Sequence, residues 1–141
     1  FGNEVELYQF YGNVILLDFS AGWCGPCRTA AESSQEMWED YREDGFVIIH
    51  AMIDDNRGSG DIDQDFLEDW AEDYDIEFPV VDGDEATEAY DAYIDLYRAG
   101  INQGSIPYMV MMDQDMRLHT TFTGANQESA IERELEDLLD L

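Results

Sequence analysis

Lysine is absent from this chain of 141 residues, and its six basic side chains are all arginine (28, 42, 57, 98, 117 and 133). Against them stand 34 acidic residues, for a formal net charge of −28. Such a surface repels nucleic acid and anionic membranes, so neither is an expected partner. The acids are spread along the whole chain and form no single block. That pattern reads as a solvated surface that preserves solubility, suited to a salty habitat where ions screen self-repulsion; the functional counterpart is steering toward basic partners.

Other scarcities narrow the field. No run of about 18 apolar residues exists, which excludes a helical membrane span within the sequence. The opening Phe1-Gly2-Asn3-Glu4 has neither a basic start nor an apolar stretch, so the chain does not begin as a signal peptide, although a leader or lipid anchor removed earlier is compatible with it. Only two cysteines, two histidines (His50 and His119) and three prolines are present. An apolar content of 45% with 13% aromatics argues for a globular fold and against disorder. The length suits one domain, 1–141, with a real core.

Both cysteines fall in one motif, Trp23-Cys24-Gly25-Pro26-Cys27, just after the apolar run Val14-Ile15-Leu16-Leu17-Asp18-Phe19. A disulfide across so short a loop removes little unfolded-chain entropy, so stapling explains it poorly. A zinc site needs two more ligands, and only His50 and His119 are on offer. The spacing suits reversible dithiol chemistry, in which one thiolate attacks a partner's disulfide and the second thiol resolves the mixed intermediate.

Along the chain, Glu4-Val5-Glu6-Leu7 alternates like a strand and Tyr11-Gly12-Asn13 turns. Val14 to Ser20 is the pattern of a central strand covered on both faces. Thr29 to Glu43 is helical in composition, with Met37 and Trp38 as core contacts, and Gly45 stops it. Phe46 to Ile53 is a second buried strand, and 54–61 a loop. Phe66, Leu67, Trp70 and Tyr74 mark an amphipathic helix. Phe78-Pro79-Val80-Val81 is a short strand whose proline places it at an edge or a strand start. Ala86 to Tyr97 is a helix. Pro107 opens a strand over 108–112, which turns into 118–122, and a last helix carries Ile131, Leu135, Leu138 and Leu139. The order implies an α/β sandwich with a mixed sheet.

Asp18 stands alone in an apolar strand, where an unpartnered carboxylate is costly, so it is either functional or a hydrogen-bonded structural acid. His50 is open to two readings: paired with Asp18 across adjacent strands, or simply packed. His119 falls on an exposed strand face and takes no role.

These pieces in this order resemble the thioredoxin fold, a three-layer α/β/α sandwich. They are most similar to the TlpA/ResA-type thiol-disulfide oxidoreductases of the bacterial envelope. The motif at 23–27 carries the resemblance, supported by Ser105-Ile106-Pro107, which matches the family's cis-proline loop, and by Gly124 before the closing helix. The stretch 70–84 resembles the helix-strand element these proteins insert, and Glu4 to Gly12 resembles their N-terminal β-hairpin.

The resemblance implies that Cys24 is the nucleophile and Cys27 the resolving thiol. A helix N-terminus at Cys24 favours a thiolate, and Pro26 fits an early helical position because its missing N–H is not needed there. It further implies that Asp18 assists proton transfer at Cys27, with burial raising its pKa. Trp23, Gly25, Pro26, Ile106 and Pro107 would form the substrate-binding surface, the backbone of Ile106 bonding an extended substrate. The bare alternative for Pro107 is a strand start.

The chain departs from the ResA pattern at Ala30, where a glutamate is common, while Asp18 is the more thioredoxin-like feature. Gly25-Pro26 resembles reducing thioredoxins, which favours a reductase. No cofactor beyond the Cys24–Cys27 disulfide is expected, and no metal. The expected partners are protein disulfide or dithiol substrates and an upstream electron donor, met by a monomer. The family points to an extracytoplasmic or periplasmic location after signal removal; a cytoplasmic setting is the alternative. The segment 84–104 is long, and its loop at 98–103 approaches Pro107.

Two rival functions remain. One is a non-catalytic or redox-sensing interaction module. The other is calcium binding by Asp54-Asp55-Asn56 or by Asp61, Asp63 and Asp65 with Glu72, although Phe66 occupies the position where an EF-hand loop needs glycine. A metallochaperone is weaker, since related copper carriers use a wider cysteine spacing with a distal histidine.

Overall fold

A computed structural model describes residues 4–141; Phe1 to Asn3, the start of the stretch read for a leader, lie outside the described residues. Among the described residues, five strands and four α-helices follow in the order β1 (Val14–Ala21), α1 (Gly25–Tyr41), β2 (Phe46–Asp54), α2 (Gln64–Asp73), β3 (Val80–Asp82), α3 (Glu88–Arg98), β4 (Tyr108–Met112), β5 (Leu118–Thr123) and α4 (Glu128–Leu139). The sheet order is β3-β2-β1-β4-β5. β1, β2 and β3 run parallel, β4 is antiparallel to β1, and β5 is antiparallel to β4. This is the mixed α/β sandwich that the sequence implies.

Alternation along β1 and β2 divides the core into two layers. Val14, Leu16, Phe46, Ile48 and Met52 face one side, with apolar residues of α1, α2 and α4. Ile15, Phe19, Val47, Ile49 and Ala51 face the other, where Tyr93 of α3 covers them. Asp18 and His50 have the parity of the first set, so two polar side chains are set into the layer beneath α1.

The expected N-terminal β-hairpin over Glu4 to Gly12 is not formed. Residues 4–6 join no strand, and Leu7–Phe10 make a short 3-10 turn. A local capping box wins there: the Glu6 backbone N–H donates to Gln9 Oε1 at 2.8 Å, and the Glu6 side chain answers at the Gln9 amide. Val5 and Leu7 remain exposed, so the alternation had no face to bury.

α1 begins four residues earlier than its composition suggests. Cys24 is its N-cap, and Pro26 sits in its first turn. β3 is confined to three edge residues, with Pro79 outside it, as a residue lacking an N–H requires.

Candidate redox site

β1 ends at Ala21 and delivers the chain through Gly22 and Trp23 to the start of α1. Gly22 is a close approach: a Cβ there would lie 2.8 Å from Phe66 Cε1 and 2.9 Å from the Asn56 nitrogen. Arg28, one turn into α1, donates Nη1–H to the Gly22 carbonyl at 3.0 Å and ties the turn to the helix.

Cys24 and Cys27 are joined as a disulfide, their Cα atoms 5.2 Å apart. The Cys27 backbone N–H donates to Cys24 Sγ at 3.2 Å, so one free amide of the helix start is aimed at the sulfur. That arrangement, with the helix dipole, stabilises a thiolate once the bond is reduced. Both cysteines are buried, while Trp23, Gly25 and Pro26 are exposed around them. Across the groove, the Ile106 carbonyl oxygen lies 3.8 Å from Cys24 Sγ. The Ile106–Pro107 peptide bond is cis, and the Pro107 side chain is fully buried. The Gly124 N–H donates to the Pro107 carbonyl at 2.9 Å, anchoring this loop to the end of β5.

In the core layer beneath α1, Asp18 is 3% exposed. Ser20 donates Oγ–H to Asp18 Oδ1 at 2.7 Å. Burial pushes the Asp18 pKa up to about 7, against the smaller opposing pull of the Ser20 bond. Asp18 and His50 stand opposite each other in the β1–β2 register, with His50 Nε2 3.5 Å from Asp18 Oδ2. Burial drives the His50 pKa down to about 3. The separation is within ion-pair range, yet desolvation favours the neutral imidazole, so the two do not form a salt bridge near neutral pH. A cavity of about 20 Å³, room for roughly one water, touches Asp18, His50, Ala30, Ser33 and Glu128. Ala30 lies three residues beyond Cys27 on the buried face of α1. Its small side chain, where the resemblance drawn from the sequence leads one to expect a glutamate, forms part of the cavity wall.

The structure thus brings Trp23, Cys24, Gly25, Pro26 and Cys27 to one edge with Ile106 and Pro107, and sets Asp18 in the core below. Some supporting residues escaped the sequence reading. Asp54 at the end of β2 accepts the Trp23 Nε1–H on Oδ2 at 2.7 Å, while its Oδ1 takes the amides of Asp55 and Gly60. Asn102, 2% exposed, donates to the Tyr93 carbonyl at 2.9 Å and accepts from the Gly104 amide at 2.7 Å. It fixes the long 84–104 segment just before Ile106. Its only sequence signal was a polar residue near Pro107.

The carboxylates weighed for calcium are occupied locally. Asp63 caps α2 through the Phe66 amide at 2.8 Å. Asp55 accepts from the Ser59 hydroxyl and amide and from the Arg57 amide, which hold it well below the usual carboxylate range. Among the described residues, no group of three or more His, Cys, Asp or Glu side chains could hold a metal ion. His119 pairs with Glu134 at 2.8 Å on the outer strand, away from the cysteines. No helix among the described residues is long and apolar enough to cross a membrane.

Comparison with known proteins agrees with this geometry. Residues 1–123 match the AhpC/TSA family. The thiol-disulfide oxidoreductase ResA of Geobacillus kaustophilus is 26% identical over 137 residues, 97% of this chain and 70% of that protein. A second ResA, from Bacillus cereus, is 23% identical over the same coverage. Among solved structures, a secreted thiol-disulfide isomerase from Corynebacterium glutamicum superposes with a TM-score of 0.79 at 19% identity, covering 99% of this chain and 78% of that one. A thiol:disulfide interchange protein of the thioredoxin family from Chlorobium tepidum gives 0.72 at 18% identity, covering 94% and 83%. The chain belongs to the AhpC/TSA family, as a TlpA/ResA-like member of the thioredoxin superfamily.

Proposed function

We propose that this chain is a thiol-disulfide oxidoreductase that reduces disulfides in protein substrates. The observation that carries the reading is the Cys24–Cys27 pair at the start of α1, with Cys24 Sγ facing the Ile106 carbonyl. In the dithiol form, the Cys24 thiolate attacks one sulfur of the substrate disulfide. That S–S bond breaks, a mixed disulfide forms, and the second substrate sulfur leaves as a thiolate that takes up a proton. Cys27 then gives its proton to ionised Asp18 and attacks Cys24 Sγ. The first substrate sulfur is released, and a proton returns to it. The enzyme is left as the disulfide and the substrate as a dithiol, so each cycle requires an upstream dithiol reductant.

Trp23, Gly25, Pro26, Ile106 and Pro107 form the surface against which an extended substrate segment lies. Gly25-Pro26 between the cysteines favours the reducing direction. No cofactor beyond the cysteine pair takes part. The monomer works in an extracytoplasmic compartment, in keeping with its resemblance to envelope proteins.

The test is trapping with a disulfide-containing protein substrate. Cys27→Ser should accumulate a mixed disulfide on Cys24, visible by mass under non-reducing conditions, while Cys24→Ser should trap nothing. If the reduced wild-type protein neither consumes substrate disulfide nor leaves an adduct in Cys27→Ser, the catalytic reading falls and an interaction module takes its place.

A further inference from the structure

We propose that Trp70 locks His50 as the Nε2–H tautomer, so that His50 serves Asp18 as a neutral hydrogen-bond donor whenever that carboxylate ionises during exchange. This rests on the proton-transfer role of Asp18 proposed above. It makes His50 a positioning residue, acting on the cysteines only through Asp18.

An indole donates through its Nε1–H and never accepts. Trp70 Nε1 lies 3.1 Å from His50 Nδ1, both groups buried. Nδ1 must therefore carry a lone pair, which leaves the proton of the neutral ring on Nε2. An imidazolium would set two N–H groups against each other across that 3.1 Å contact. His50 Nε2 has no hydrogen-bond partner, and the Asp18 Oδ2 at 3.5 Å is the acceptor it faces. The ring is held in place by Phe78, whose centroid is 4.8 Å away at a steep angle, and by the strand register that sets His50 opposite Asp18.

Ionised Asp18 then has one neutral donor for each oxygen, the Ser20 hydroxyl on Oδ1 and the His50 Nε2–H on Oδ2. The chain has no lysine to supply a cation in its place. A buried ammonium or imidazolium would pull the carboxyl's proton affinity well down, whereas a neutral donor leaves it near working pH. The burial-driven shifts of the two groups, Asp18 upward and His50 downward, agree with that assignment. The other polar groups on the wall of the shared cavity are Ser33 and Ser34 from α1, Asn126 and Gln127 from the turn before α4, and Glu128 at the start of α4, the one titratable group among them.

The experiment is nitrogen NMR of the histidine rings in the full chain between about pH 5 and 8, with His119→Gln identifying the second histidine. His50 should show the neutral Nε2–H pattern throughout. Trp70→Phe should release the lock and populate the Nδ1–H form. His50→Leu should raise the pH midpoint of substrate-disulfide exchange by about one unit, a tenfold change in proton affinity, while His50→Gln, which keeps a neutral donor, should restore most of it. An Nδ1–H ring or an imidazolium in the wild type overturns the proposal, as does equal behaviour of Leu and Gln at position 50. If Trp70→Phe does not fold, the wild-type spectrum and the Leu/Gln pair still decide. Exchange in Asp18→Asn identical to wild type from pH 6 to 9 would instead remove the role given to Asp18, and the ring spectrum would show whether the tautomer lock stands on its own.

Discussion

The Trp23 indole, half exposed beside the cysteines, donates its N–H to Asp54 Oδ2 at 2.7 Å. A carboxylate at the far end of β2 therefore sets the angle of the ring that borders the disulfide, and the amides of Asp55 and Gly60 hold that carboxylate in turn. Asp54→Ala should leave the fold intact at a cost of about 1.5–3 kcal/mol, the scale of a hydrogen bond to a charged group. KM for a protein disulfide should rise several-fold, with little change for a small disulfide reagent. Equal effects on both substrates would show that the ring's position does not govern substrate contact.

Asp18 and His50 act on stability with opposite signs. The unfolded chain loses its Asp18 proton near pH 3.8, whereas the native chain keeps it to about 7, so stability falls as pH rises through that window. The unfolded chain protonates His50 below 6.5 and the native chain not until about 3, so stability falls as pH drops through that window. Where the windows overlap the two offset each other. Asp18→Asn should remove the first, so its unfolding free energy should gain on wild type by about 1.4 kcal/mol per pH unit between roughly pH 4.5 and 6, levelling off above about 7. Denaturation curves for the two proteins that stay parallel with pH would contradict the raised pKa.

Gly22 has no room for a methyl group against Phe66 and Asn56. Gly22→Ala should destabilise the protein by about 1–3 kcal/mol, the usual scale of overpacking, and should slow exchange by displacing Trp23 and Cys24. A melting temperature and exchange rate equal to wild type would mean that the turn absorbs the added carbon.

Among the described residues, Arg57–Asp55 is the one arginine–carboxylate pair within 4.0 Å, and the other contacts of this kind are histidines, His50 beside Asp18 and His119 beside Glu134. Most of the 34 acidic side chains therefore repel one another with little compensation. The melting temperature should rise from low to about 1 M salt, where the screening length shrinks to about 3 Å. A flat response would exclude self-repulsion as a significant strain on the fold.

Much of this architecture was legible because its signals are local. β1 and β2 are continuous apolar runs, β4 follows Pro107 directly, and the helix start at Cys24 comes with the cysteine motif. The N-terminal hairpin misled because alternation over Glu4 to Leu7 resembles a strand, while the Glu6–Gln9 box that overrides it is a side-chain contact. His50 could be read two ways until the register set it opposite Asp18. Trp70 read only as a helix's apolar contact, since its indole N–H meets His50 across 20 positions of chain. Asp54 looked like one acid in an acidic loop, and only the return of β2 beside Trp23 gives it a partner.

The most direct test of the account is the reduction potential of the Cys24/Cys27 pair, measured by equilibration against a defined thiol buffer. A value near about −270 mV, in the thioredoxin range, is the result expected of a reductase held reduced by an upstream dithiol. A value near about −120 mV would make the pair a disulfide donor and contradict the reductive direction. A pair that fails to equilibrate with the buffer would contradict the catalytic reading altogether.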